Sequence, residues 1–192
     1  MASKQSDNNY LTGKLLLAMP EMGDPRFHKS VVLICAHDSG GAMGVVINQP
    51  NDDVTFTDLL SQLEIEPASG QNPDISVHTG GPVENSRGFV LHPAAYSHAD
   101  TIQIDDTLAI TGTVDMLKTI ALGSGPPDLL FILGYAGWDA NQLDQEIQQN
   151  AWLTLDYDEE LIFKTPARQK WNAAIARLGI DPSMLSGAAG NA

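Results

Sequence analysis

The sequence has 192 residues, of which 43% are hydrophobic and 18% charged, and this composition indicates one globular domain rather than a disordered or fibrous chain. The formal net charge is −14, and residues 30–163 contain only Arg87 and Lys118 as bases, so we expect no direct contact with nucleic acid or membranes. Cys35 is the one cysteine of the sequence, so an internal disulfide cannot form. The sequence has no N-terminal apolar segment and no run near ~18 apolar residues, which favours a cytoplasmic protein.

Short apolar runs along the chain predict a sheet. Strand-length runs occupy residues 15–19, 31–36, 43–47, 88–91 and 129–133, and residues 101–104 and 108–111 predict a hairpin. The runs at 31–36 and 129–133 are apolar at every position, so we place both in the middle of the sheet, covered on both faces. Glycine-rich turns are predicted at residues 19–27, 40–44, 79–83 and 134–138.

Two helices are predicted in the middle of the chain. Thr55, with an acid three residues later at Asp58, has the pattern of an N-cap and opens a short helix through Leu63. Thr113 can cap a second helix, which Gly123 ends before the two prolines that follow.

Two further helices are predicted in the last third of the chain. Asp139 and Gln142 have the spacing of a capping box for the third helix, with a buried stripe at Leu143 and Ile147. The fourth spans residues 167–178. Its inward side chains are predicted to be Trp171, Ile175 and Leu178, and its outward ones Arg168, Lys170 and Arg177.

Strands and helices therefore mix without strict alternation or an internal repeat. This pattern predicts a mixed sheet surrounded by helices, which is an α+β fold, with no domain boundary inside it. We expect a single domain over residues 11–187, with flexible termini at residues 1–10 and 188–192.

Three ordered blocks of the sequence resemble the YqgE/AlgH family of bacterial proteins. They are LTGKLLLAMPEMGDPRFHKSVVLICAHDSGGAMGVVINQP, TGGPVENSRGFVLH and GYAGWDANQLDQEIQQNAWL. The resemblance implies a single α/β domain with a bifurcated, partly barrel-like mixed sheet surrounded by helices. It supplies no catalytic residue. Some members carry the label of transcriptional regulator, which fits poorly with a net charge of −14 unless the partner is a protein.

The residues themselves offer few signs of chemistry. Cys35 and His37 lie two apart on a predicted strand, but cysteine is more often buried than reactive, so we expect a buried, slowly reacting thiol. The five histidines show no metal-binding spacing, and we expect no metal and no cofactor. A GxSxG motif is also absent, so a hydrolase has no motif in its favour.

If a functional surface exists, we expect it where the turn at residues 134–138 meets the other glycine-rich turns. The ligand- or partner-binding residues predicted there are His37, Asn48, Gly81, Arg87, Tyr135, Trp138, Gln142 and Glu146. The competing interpretation is structural: Gln142 closes a helix cap, Trp138 packs, and Glu84 pairs with Arg87.

Two classes of function follow. The first is a non-enzymatic binding or regulatory protein that acts through protein contacts rather than DNA. The alternative is a small-ligand-binding protein, or an enzyme of the hydrolase class, with its site at the glycine-rich loops. A deep pocket that gathers His37, Arg87 and Gln142 would favour a ligand, whereas a flat exposed apolar patch would favour a protein partner.

Overall fold

Nine strands form one curled sheet in the computed structural model, which describes residues 10–71 and 73–185. They are β1 (Lys14–Ala18), β2 (Val31–Asp38), β3 (Gly41–Val46), β4 (Val77–Thr79), β5 (Val83–Pro93), β6 (Thr101–Gln103), β7 (Leu108–Thr111), β8 (Leu130–Asp139) and β9 (Trp152–Asp156). The order across the sheet is β6, β7, β5, β8, β3, β2, β1, β9, with neighbours antiparallel, and β4 joins β8 as a parallel strand. The two fully apolar runs, in β2 and β8, lie inside the sheet as predicted.

The sheet divides along β8, the strand that connects its two halves. Ile132 in the first half of β8 pairs with His78 of β4 on one side and with Phe89 of β5 on the other. The second half of β8 pairs with β3 instead, where Gly137 opposes Met43. The result is a curled half-barrel, which confirms the predicted α+β fold with a bifurcated, partly barrel-like sheet.

Four α-helices and several short turns surround this sheet in the part of the chain that the structure describes. The helices are α1 (Phe56–Gln62), α2 (Val114–Ala121), α3 (Gln142–Gln148) and α4 (Lys170–Arg177). Short 3₁₀ turns lie at Pro25–Phe27, Ala167–Gln169 and Pro182–Leu185, and one π-helical turn lies at Glu160–Lys164.

Both faces of the sheet are covered, and the buried side chains form three clusters. The largest fills the inside of the curl and is closed by Trp171 and Ile175 of α4. The second joins α1 and α2 to β5 and β8, for example through Phe56, whose ring contacts that of Phe131 at 5.3 Å. The third lies between α3, the ends of β1 to β3, and two tryptophans, Trp138 and Trp152.

The helix starts agree only partly with the sequence predictions. Thr55 makes both bonds of a capping box with Asp58, which confirms the predicted start of α1. Thr113 is the N-cap of α2, but its side chain makes no capping bond. Asp139 is the last residue of β8 rather than a helix cap: Asn141 is the N-cap of α3, and the Gln142 side chain accepts from the Asp139 N–H.

Other predictions were wrong. Residues 134–138 continue β8 as a strand, because β3 pairs with this part of β8 and the backbone of the Gly81 turn packs on it. Most of residues 40–44 belongs to β3. Lys170 is not outward but 1% exposed. The strands β4 and β9 were not predicted.

The predicted flexible termini fall mostly outside the described residues. Residues 1–9 and 188–192 lie outside the described residues, as do residues 186–187 at the end of the predicted domain. Tyr10 is described, and its ring contacts that of His37 at a centroid distance of 5.1 Å.

Candidate functional site

A cleft of about 310 Å³ lies where three glycine-containing segments meet. One wall is the loop from Met22 to Phe27, and a second is Pro82 with Val83. The end of β8, the polar face of α3 and the start of β9 complete it through Gly137, Trp138, Gln142, Glu146, Ala151 and Trp152. The cleft lies where the sequence analysis expects a functional surface, although residues 134–138 contribute to it as a strand and not as a turn.

The Glu146 carboxylate is the polar centre of the cleft. Its Oε2 accepts hydrogen bonds from the indole Nε1 of Trp138 at 2.9 Å and of Trp152 at 2.8 Å. Its Oε1 accepts from Nε2 of Gln142 at 2.9 Å. The two indole rings meet edge-on, with centroids 6.0 Å apart, and both are buried. Glu146 therefore ties α3 to β8 and β9 and is held in one orientation.

An ion pair and an aromatic ring form the rim of the cleft. Nη2 of Arg26 lies 2.6 Å from Oδ2 of Asp24, and this hydrogen bond holds the pKa of Asp24 below its usual value. The Arg26 guanidinium lies 6.0 Å from the centroid of the Phe27 ring, which in turn contacts Trp152 at 5.6 Å. Because Asp24 and Arg26 neutralise each other, Glu146 is the carboxylate of the cleft without a cationic partner among the described residues.

The backbone of the Gly81 turn packs directly on β8. Gly81 has φ +152°, and a Cβ there would lie 2.3 Å from the carbonyl oxygen of Tyr135. A side chain at this position would push Pro82 and Val83 away from the strand. Gly81 therefore shapes the cleft and offers no binding group of its own.

Arg87 and Tyr135, which the sequence assigns to the same surface, lie at the mouth of the half-barrel. They line a cavity of about 750 Å³ with apolar walls that include Met43, Phe89 and Ile110. Arg87 pairs with Glu84 at 3.3 Å, as the structural interpretation predicts, and its guanidinium lies 5.1 Å from the Phe89 ring centroid. Burial and a hydrogen bond with Glu84 raise the pKa of Tyr135.

Cys35 lines the same cavity and is 5% exposed. Burial raises the pKa of its thiol to about 12. The prediction of a buried cysteine is confirmed, and the thiol has almost no thiolate at neutral pH.

His37 and Asn48 connect segments of the fold rather than line either cavity. Nδ1 of His37 accepts from the backbone N–H of Leu11 at 3.1 Å. Asn48 accepts from the N–H of Val31 and donates to the carbonyl of Lys29, both at 2.8 Å. His37, Arg87 and Gln142 thus lie in three different places and do not converge in one pocket.

The described residues contain no group of three or more histidine, cysteine, aspartate or glutamate side chains that could hold a metal ion. His92 contacts the hydroxyl of Thr111 at 2.8 Å, and both residues are buried.

Trp152 and Asp24 belong to the cleft, and the sequence analysis missed both. The available signal for the strand that begins at Trp152 was the alternation of apolar and polar residues from 153 to 156, which is typical of a strand with one covered face. Asp24 precedes a proline and caps the 3₁₀ turn Pro25–Phe27, a pattern typical of a turn start.

Comparison with known proteins identifies relatives over nearly the whole chain. The sequence pattern of the AlgH-like family matches residues 15–183. A UPF0301 protein of Rhodospirillum rubrum is 48% identical over 98% of this chain and 97% of its own length, and one of Paracoccus denitrificans is 51% identical over 98% and 99%. The solution structure of the AlgH protein from Pseudomonas aeruginosa is similar with a TM-score of 0.77 and 41% identity, covering 98% of this chain and 100% of that one.

The fold defines a single-domain α+β protein with a curled half-barrel sheet. The chain belongs to the AlgH-like family, which confirms the resemblance seen in its sequence. In residues 10–71 and 73–185, no helix is long and apolar enough to cross a membrane.

Proposed function

We propose that this protein is a non-enzymatic, cytoplasmic binding protein that acts in regulation through a protein partner, which docks at the Glu146 cleft. The observation that carries the proposal is a carboxylate fixed at the centre of the cleft by three donors from the protein itself.

The hydrogen-bonding capacity of Glu146 is not exhausted. A carboxylate has about four acceptor positions, and Trp138, Trp152 and Gln142 use three of them. The unused position belongs to Oε1, which receives only the Gln142 amide. Because the carboxylate is already immobilised, a donor from a partner gains a charge-assisted bond without the cost of ordering the side chain.

Charge selects a basic partner. The net charge of −14 draws cationic surfaces toward the protein and repels nucleic acid. The cleft, at about 310 Å³, is at the lower end of the roughly 300–1,000 Å³ range of ligand pockets. It therefore suits one arginine or lysine side chain on a loop or an extended segment, with its stem against Phe27 and the edge of Trp152.

A matched pair of peptides tests this proposal. Acetyl-Gly-Arg-Gly-amide and its uncharged citrulline analogue are titrated into the protein while the two indole N–H signals of Trp138 and Trp152 are followed by NMR. We expect saturable shifts with the arginine peptide and none with the citrulline peptide. Glu146→Gln, which removes the charge but keeps an oxygen for the indoles, is expected to weaken binding by about tenfold or more.

Glu66→Gln is the matched control, because Glu66 is exposed and lies outside the cleft. It changes the net charge by the same amount and is expected to leave binding within about twofold of the wild type. Equal weakening by both variants, or unchanged indole signals at millimolar arginine peptide, would contradict a docking site at Glu146.

The cavity at the mouth of the half-barrel supports a second candidate function, the binding of a small apolar molecule. Its volume of about 750 Å³ and its walls of Met43, Phe89 and Ile110 suit an uncharged ligand. The neutral dye N-phenyl-1-naphthylamine tests this candidate. Gly112→Phe, whose added side chain would press on the Phe89 ring in the cavity wall, should reduce the fluorescence of the bound dye, whereas Glu146→Gln should not.

A further inference from the structure

Lys170 is a buried amine that neither proposed binding site uses. It is the first residue of α4 and is 1% exposed. Its Nζ donates hydrogen bonds to the carbonyl of Ile162 at 2.7 Å and to that of Ile47 at 3.1 Å. Among the described residues, no carboxylate lies within 4.0 Å of this nitrogen.

Lys170 lines a cavity of about 640 Å³ that is separate from the cleft and from the mouth of the half-barrel. The walls are mixed: Ile75, Ile120, Leu130 and Phe163 are apolar, and Asp74, Ser76, Asp128 and Thr165 are polar. His78 also lines the cavity, and its Nδ1 lies 3.3 Å from the carbonyl oxygen of Phe131. The His78 ring also makes a hydrogen bond with the backbone of Ser76, so two backbone groups hold it in place.

We propose that Lys170 is a nucleophilic amine that forms an imine with a small, uncharged aldehyde bound in this cavity. The geometry carries the proposal. Two N–H bonds of the amine are fixed by the carbonyls of Ile47 and Ile162. The remaining tetrahedral position on Nζ has no protein partner among the described residues, and in the neutral amine it holds the lone pair.

The step needs no oxidant or metal. The lone pair of Nζ attacks the aldehyde carbon, a C–N bond forms as the carbonyl π bond breaks, and one amine proton passes to the oxygen. The resulting carbinolamine loses this hydroxyl together with the second amine proton as water, and a C=N bond remains. His78 is suited to accept and return a proton, because burial and the positive charge of Lys170 lower its pKa and keep the ring neutral.

The environment of Lys170 favours its neutral form. Burial lowers the pKa of Lys170 to about 8. Of the charged groups around the cavity, Asp128 pairs with Lys164, which leaves Asp74 and His78 as the other titratable groups of the lining. At pH 7 about one amine in ten is then neutral, against fewer than about one in a thousand for an exposed lysine. Asp74 and Asp128 in the wall disfavour an anionic aldehyde.

Reductive trapping on the wild-type protein tests the proposal without relying on a variant that must fold. A limiting amount of benzaldehyde is added with sodium cyanoborohydride, and peptide mass mapping locates the benzyl groups among the six lysines. At pH 7 we expect Lys170 to be modified about tenfold or more faster than Lys118 and Lys164, which are exposed. The ratio should fall as the pH approaches 10, where exposed lysines also lose their protons.

Two comparisons decide whether the cavity is responsible. In urea at a denaturing concentration, the preference for Lys170 should disappear, and a preference that persists there would overturn the proposal. It would also be overturned if the native protein were modified at Lys14, Lys118 and Lys164 but not at Lys170. His78→Gln should slow modification of Lys170 several-fold, and an unchanged rate would remove His78 from the reaction.

Discussion

At the scale of single residues, Glu146 connects three parts of the molecule. Replacing it with alanine leaves the buried indole N–H groups of Trp138 and Trp152 without an acceptor. Each unsatisfied donor costs about 1–3 kcal/mol, so we expect Glu146→Ala to lower the free energy of unfolding by about 2–6 kcal/mol. Urea denaturation measures this change.

Gln142→Ala is the control for Glu146→Ala, because it removes hydrogen bonds of a partly exposed amide and should cost about 0.5–1.5 kcal/mol. The two variants could instead lose equal stability and both still bind the arginine peptide. That result would mean that Gln142 and Glu146 have a structural role and do not form a binding site.

The burial of Lys170 makes the free energy of unfolding depend on pH. Its pKa is about 8 in the folded protein and near its ordinary value of 10.5 when the chain unfolds. Between these values the unfolded chain binds more protons, so Lys170 makes the protein more stable as the pH rises from 8 to 10.5. Relative to Lys170→Met, the wild type should gain about 3 kcal/mol across this window.

Tyr157 has the opposite effect on stability at high pH, because burial raises its pKa to about 12. Since both proteins contain Tyr157, its contribution cancels in the difference between the wild type and Lys170→Met. Denaturation curves at several pH values measure the difference. A constant difference between the two proteins from pH 7 to pH 10.5 would mean that the amine is not desolvated in the folded state.

At the scale of elements, α1 and α2 both have a threonine at the N-cap, but only that of α1 makes a side-chain capping bond. Thr55 accepts from the Asp58 N–H and completes a capping box, whereas the Thr113 hydroxyl is buried without a hydrogen-bond partner. We therefore expect Thr55→Ala to lower the free energy of unfolding by about 1 kcal/mol. Thr113→Ala should change it by less than about 0.5 kcal/mol, because no bond is lost.

Thermal unfolding of the two threonine variants makes this test. Both substitutions remove the same atoms from an N-cap, so differences in helix propensity cancel. Equal losses in stability would show that the side-chain bonds of the capping box contribute nothing measurable to α1.

At the scale of the whole molecule, charge governs association. The net charge of −14 predicts no sequence-dependent binding of duplex DNA at physiological salt, because too few cations are present to displace phosphate counterions. Fluorescence anisotropy with labelled duplexes checks this. Sub-micromolar binding that depends on sequence would contradict it. A basic peptide, in contrast, should bind more weakly as salt is added.

Local signals in the sequence were sufficient for much of the fold. The apolar runs in β2 and β8, the hairpin of β6 and β7, and the cap at Thr55 depend on neighbouring residues, and the structure confirms them. The burial of Cys35 followed from its position in such a run. Family membership also followed from the sequence, through three ordered blocks.

Contacts between distant residues decided the rest. Lys170 is buried because its amine reaches a carbonyl 123 residues away, at Ile47, which no helical pattern can reveal. Residues 134–138 form a strand because β3 and the Gly81 turn lie against them, although their glycines alone favour a turn. Gln142 and Glu146 are four residues apart in the sequence, and this spacing by itself predicts that they share one helical face. Only the tertiary structure brought Trp138 and Trp152 to the same carboxylate, because hydrogen bonds between separate elements depend on how those elements pack.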